Sequence, residues 1–106
     1  MDYRDICSAM RDLGFPCAYG SFNFPPTIPY TVVVFAYDND IMADNQNYKG
    51  VGNYQLEYYN SVKFPPDEIL IQNKLKELRL PYTKTEVFLD SEDLYQIVYD
   101  IQLIGG

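Results

Sequence analysis

Two spacings of apolar residues alternate along this chain, and each change of spacing marks a change of element. From Asp2 to Leu13 the apolar positions Ile6, Met10 and Leu13 recur at helical intervals with Ala9 beside them, which predicts an amphipathic helix. Asp2 is suited to cap its start, Asp5 favours the positive end of the helix dipole, and Gly14 suits the stop. A short extended piece is expected over Phe15 to Phe22. The stretch NFPPTIP that follows places three prolines in seven residues. Proline removes ladder donors, so this segment reads as a loop or an extended edge.

Period-two patterning then takes over. Tyr30 to Tyr37, YTVVVFAY, is β-branched and aromatic with almost no polar member, and reads as a central strand covered on both faces. In Asn53 to Asn60, Tyr54, Leu56 and Tyr58 alternate with Gln55 and Glu57, so one face is core and the other polar. These two strands should pair as an antiparallel hairpin. FPPDEILIQNKLKELRL returns to helical spacing, with Ile71, Leu75 and Leu78 as the inward stripe. Pro65 and Pro66 open this second helix, Asp67 and Glu68 fill its first turn, Lys74, Lys76 and Arg79 lie toward its negative end, and Pro81 stops it. Tyr82 to Leu89 and Leu94 to Ile104 predict a second hairpin turned by Asp90, Ser91, Glu92 and Asp93. In its last strand Tyr95, Ile97, Tyr99, Ile101 and Leu103 share one face. The order α-β-β-β-α-β-β predicts one α+β domain over residues 1–106. Its antiparallel or mixed sheet has about five strands, with two helices packed on one face.

Composition narrows the chemistry. The chain has 106 residues, 47% hydrophobic and 22% charged, with eleven tyrosines, no tryptophan, no histidine and a formal charge of −7. That charge argues against specific nucleic-acid binding, which needs clustered Lys and Arg. Without histidine the commonest general base and metal ligand is missing. Ser8, Ser21, Ser61 and Ser91 lack a nucleophile-elbow context, and Gly50-Val51-Gly52 lacks the setting and lysine of a phosphate loop. No catalytic residue, metal site or cofactor is expected. Cys7 and Cys17 read as two reduced, partly buried thiols. No apolar run approaches membrane-spanning length and MDYRDICSAM lacks a signal-peptide core, so synthesis in the cytosol and no membrane contact are expected.

One segment resists these elements. DNDIMADNQNYKG, Asp38 to Gly50, connects the first two long strands across about fifteen residues, where a hairpin needs only 2–5. As a calcium loop it fails on position: with Asp38 first and Asp40 third, Met42, Ala43 and Lys49 fall where oxygen ligands and the glycine belong. A polar turn would suit Asn and Asp, but Ile41, Met42 and Tyr48 among acids fit a partner surface better. The candidate partner-binding residues are therefore Asp38, Asp40, Ile41, Met42, Asp44, Asn45 and Tyr48.

The pieces ADNQNYK (Ala43 to Lys49), NYQLEYY (Asn53 to Tyr59) and LYQIVYDIQL (Leu94 to Leu103) resemble small tail-completion proteins of siphophages and prophages of Gram-positive bacteria. The resemblance runs over nearly the whole chain from about Leu13. It implies a tail terminator or tail-to-head joining protein: a non-enzymatic ring, usually hexameric, that caps the major tail protein of the tube and meets the head connector. It implies assembly in the bacterial host cytoplasm and residence at the head–tail junction of the virion. Tyr59, on the face opposite Tyr54 and Tyr58, and the proline-flanked Phe22, Phe24 and Phe64 are candidates for the ring interface. Two other readings stand beside it. A head-closure adaptor or tail assembly protein would look similar in sequence. An acidic DNA mimic would need carboxylates spaced along one face, whereas these cluster at helix starts and turns.

Overall fold

The structure, a computed structural model, describes residues 1–38 and 51–104. Its elements are α1 (Tyr3–Asp12), β1 (Cys17–Tyr19), β2 (Tyr30–Asp38), β3 (Val51–Asn60), α2 (Pro65–Glu77), β4 (Thr83–Leu89) and β5 (Leu94–Ile104). The five strands form one sheet in the order β1-β2-β3-β5-β4. β1 runs parallel to β2, and the remaining neighbours are antiparallel. The expected α+β class, element order and mixed sheet are all present.

Both helices begin and end by local chemistry. At the start of α1, Arg4 N donates to Asp2 Oδ1 at 2.8 Å and Asp2 N donates to Asp5 Oδ2 at 2.8 Å, a reciprocal capping box. At its end Gly14, with φ +99°, donates to the Arg11 carbonyl and Phe15 N reaches back to the Met10 carbonyl. Those two bonds satisfy carbonyls that the last turn would otherwise leave open. α2 closes with the same pair of bonds, from Arg79 N to Lys76 O and from Leu80 N to Leu75 O. Here Arg79 occupies the left-handed region at φ 60°, so α2 ends before Pro81 is reached.

Register explains the core. Cys17 lies opposite Thr31, Thr31 opposite Tyr58, and Tyr58 opposite Ile97; Val33, Leu56 and Tyr99 form the next row. These side chains face α1 through Ile6, Cys7 and Met10, and α2 through Ile71 and Leu75. Ile6, Met10, Val33, Leu56, Ile71, Leu75 and Tyr99 are fully buried. Burying a residue of this kind stabilises the fold by about 1.5–3 kcal/mol. Thr31 is the polar member of this face. Its backbone N and its Oγ1 each donate to the Pro16 carbonyl at 2.8 Å, which ties the start of β1 to β2.

One expectation is corrected. β2 is an interior strand, between β1 and β3, but among the described residues no second layer of elements covers its other face. The helices cover only the side of Thr31 and Val33. On the other side Val32 and Val98 are buried beside Glu57, which separates them in one row of the sheet. Tyr30 stacks on Tyr59 with ring centroids 5.0 Å apart, and Phe22 meets Tyr30 edge-on at 5.6 Å. Large neighbours in the plane of the sheet shield the valines there. Toward the far end of β2, where the register shifts between Phe35 and Tyr37, Phe35 and Ala36 are exposed.

Candidate functional site

Of the acidic stretch singled out in the sequence, Asp38 closes β2 opposite Gly52. Asp40, Ile41, Met42, Asp44, Asn45 and Tyr48 lie outside the described residues. The ends of β2 and β3 that lead to this stretch border a cavity of about 920 Å³. Its walls include Ala36, Asn53, Tyr54, Leu80, Tyr82 and Leu103, with Arg79 and Asp100 as charged groups.

The four ring-interface candidates separate into two kinds. Phe22 and Tyr59 are half-buried and committed within the chain. Phe22 packs on Tyr30, while Tyr59 stacks on Tyr30, donates its hydroxyl to Glu57 at 2.8 Å and accepts from Gln96 at 2.9 Å. Phe24 is 88% exposed and Phe64 44% exposed. Phe64 is the more informative. It stands at the N-cap of α2 without a side-chain capping bond, and none is needed: Pro65 and Pro66 have no N–H, and Asp67 N donates to the Phe64 carbonyl at 3.2 Å. The position holds an aromatic ring partly in water.

The segment that carries Phe64 reaches β4. Lys63 Nζ bonds to Glu86 on β4, so the segment leading into α2 lies against that edge strand. Every residue of β4 except Leu89 is exposed, including Val87 and Phe88, and Val62 is exposed as well. β4 has a partner only in β5 among the strands of the sheet. Its other side is an open edge, which a soluble protein ordinarily keeps short, charged or covered. This edge is seven residues long and ends in Val-Phe-Leu.

Beneath this edge is an ionic node that sequence reasoning missed. Asp67 and Glu68 both suit the positive end of the helix dipole, yet Glu68 points inward and is 3% exposed. Lys63 Nζ lies 2.8 Å from its Oε2 and 2.9 Å from its Oε1, and Lys84 Nζ lies 2.5 Å from Oε1. Burial disfavours the charged carboxylate, but the two lysines outweigh burial and hold the carboxyl below its ordinary value. A signal was present: Glu68 is three residues before Ile71, on the same stripe as Leu75. Asp67 instead accepts from the Tyr58 hydroxyl at 2.6 Å, and Asn60 Nδ2 donates to that hydroxyl at 2.9 Å. These carboxylates serve internal pairs, which counts against a row of phosphate-like charges for a DNA mimic.

No group of three or more His, Cys, Asp or Glu residues arranged to hold a metal ion occurs among the described residues. No described helix is long and apolar enough to cross a membrane. No family model matches the chain, and no curated protein matches it. Among solved structures, a chain from the virion of a native gene transfer agent particle aligns with it at a TM-score of 0.49. The sequence identity is 11%, over 92% of this chain and 84% of that one.

Proposed function

We propose that the chain is a structural virion protein that caps the tail tube as a hexameric ring and joins the tail to the head connector. The resemblance of its ADNQNYK, NYQLEYY and LYQIVYDIQL segments to tail-completion proteins supports this role. The observation that carries it is the exposed, open edge of β4, with Phe88 on the face that α2 covers and Val87 on the other, near the exposed Val62 and Phe64. A closed ring of identical subunits uses a heterologous interface, in which one patch of each subunit meets a different patch of the next. The Phe64–β4 side supplies one such patch. In this reading the stretch from Asp38 to Tyr48 meets the neighbouring subunit or the major tail protein. Its carboxylates at Asp38, Asp40 and Asp44 repel the phosphates of DNA passing through the ring.

Sedimentation velocity of the full chain, from low micromolar to near-millimolar concentration, tests the ring; a closed species of about six chains is expected. Electron microscopy of polymerised major tail protein mixed with the chain then tests the cap, which should decorate tube ends. A monomer at every concentration that also leaves the ends bare overturns the proposal. Binding to the portal side of a head connector, with bare tube ends, replaces it with a head-closure adaptor.

A further inference from the structure

The two cysteines are ten positions apart in sequence and touch in space. Cys7, on the inner face of α1, and Cys17, the first residue of β1, are both free and buried, with Sγ atoms 3.1 Å apart. The contact is set by the fold: the turn through Gly14 reverses the chain, so that β1 returns under the helix. Arg11 Nη2 donates to the Cys17 carbonyl at 2.9 Å, and Tyr3 stacks on Tyr19 with centroids 4.0 Å apart. Both contacts hold α1 against β1 on either side of the sulfur pair. A disulfide needs a separation of about 2.05 Å, so about 1 Å remains to be closed.

We propose that Cys7 and Cys17 are a redox pair that closes to an intrachain disulfide when the folded protein meets a small peroxide. The two sulfurs are not equivalent. The Cys17 S–H donates to Cys7 Sγ; this bond, with the Arg11 guanidinium, lowers Cys7 to about 7 against the effect of burial. The same bond and burial push Cys17 upward. Cys7 is thus the nucleophile and Cys17 the resolving thiol. The Cys7 thiolate attacks one peroxide oxygen; the S–O bond forms, the O–O bond breaks, and hydroxide leaves and takes up a proton as water. Cys17 Sγ then attacks the sulfenic sulfur. The S–S bond forms, the S–O bond breaks, and the hydroxyl departs as water with the Cys17 proton. Two thiols are oxidised and one peroxide is reduced to two waters.

Closure fastens α1 to the edge strand β1, which is only three residues long. The sulfur chemistry does not depend on the role proposed above. If the protein does leave the cell within a particle, it passes from a reducing cytosol to an oxidising medium, and the bond strengthens the subunit at that moment.

The test treats the folded full-length chain with hydrogen peroxide and reads intact mass, free thiols in denaturant and migration on a non-reducing gel. The expected product is a monomer lighter by two hydrogen atoms, with no free thiol. Its Tm should rise by roughly 10 °C, and dithiothreitol should reverse the change. With Cys17→Ser, Cys7 should stop at a sulfenic acid that dimedone traps. Two surviving thiols in the folded chain, added oxygen without loss of hydrogen, or disulfide-linked dimers would each overturn the proposal. Because the unsubstituted chain supplies these readings, the test stands even if a serine variant fails to fold.

Discussion

Lys84 Nζ stands 2.5 Å from Glu68 Oε1 and spans the gap between β4 and α2. With Lys63 it keeps a carboxylate at this depth charged, and it attaches the edge strand to the helix above it. Truncating one member of a fully buried pair costs about 3–5 kcal/mol. Here both lysine side chains are about a third exposed and can return to water. Glu68→Ala should therefore cost about 1–3 kcal/mol in urea denaturation, whereas Glu68→Met, which fills the space without a charge, should be close to neutral.

The same node has a pH signature. The Glu68 carboxyl is held below its ordinary value of 4.5 in the folded chain. Its contribution is complete above that value and is lost as pH falls through the lower, folded one. Stability measured by denaturation across the acid range should fall on that side, and the fall should be shallower in Glu68→Gln. An identical acid limb in the variant would contradict the assignment.

Tyr58 carries a second prediction. Its hydroxyl is the donor to Asp67 and the acceptor for the buried Asn60 amide. Tyr58→Phe keeps the ring and strands the amide, at a cost of about 1–3 kcal/mol. Burial also raises the ionisation of Tyr58, Tyr59 and Tyr99 above their ordinary value of 10. The unfolded chain therefore loses protons first, and stability should decline as pH rises past that value. Ultraviolet titration of the folded protein should show a class of tyrosines that ionises late, diminished in Tyr58→Phe.

The two helix ends use one turn with different residues, and substitution should expose the difference. Gly14 at φ +99° has open space around its missing Cβ, so Gly14→Ala should destabilise by about 1 kcal/mol through backbone strain alone. Arg79 bears that strain already at φ 60°. Arg79→Gly should stabilise by about 0.5–1 kcal/mol, read as a higher Tm.

Phe64 separates folding from association. Phe64→Ser removes a partly exposed ring and gains no capping bond, because Pro65 and Pro66 offer no N–H, so subunit stability should stay within about 0.5 kcal/mol. If the Phe64–β4 side is the ring contact, the same substitution should weaken self-association by about tenfold or more. Sedimentation velocity on Phe64→Ser, alone and with Val87→Lys on the open edge, checks this. A variant that folds and assembles as before would remove Phe64 from the interface.

Much of this architecture can be read along the chain because its causes are local. The stripe Ile71, Leu75, Leu78 and the alternation Ile97, Tyr99, Ile101, Leu103 declare which face is buried, since helix and strand periods place side chains without reference to any partner. Asp2 and Gly14 declare the limits of α1 in the same way. What only the tertiary structure decided are the relations between distant segments. The parallel pairing of Cys17 with Thr31 brings the cysteines together across a turn. The meeting of α2 with β4 turns Glu68 from a helix-start acid into the centre of an ion pair with Lys63 and Lys84. Shielding of Val32 and Val98 by their neighbours in the sheet likewise follows from strand order. Periodicity reports how a segment meets an interior, but the identity of its neighbour depends on loop paths and sheet register, which no window of sequence contains.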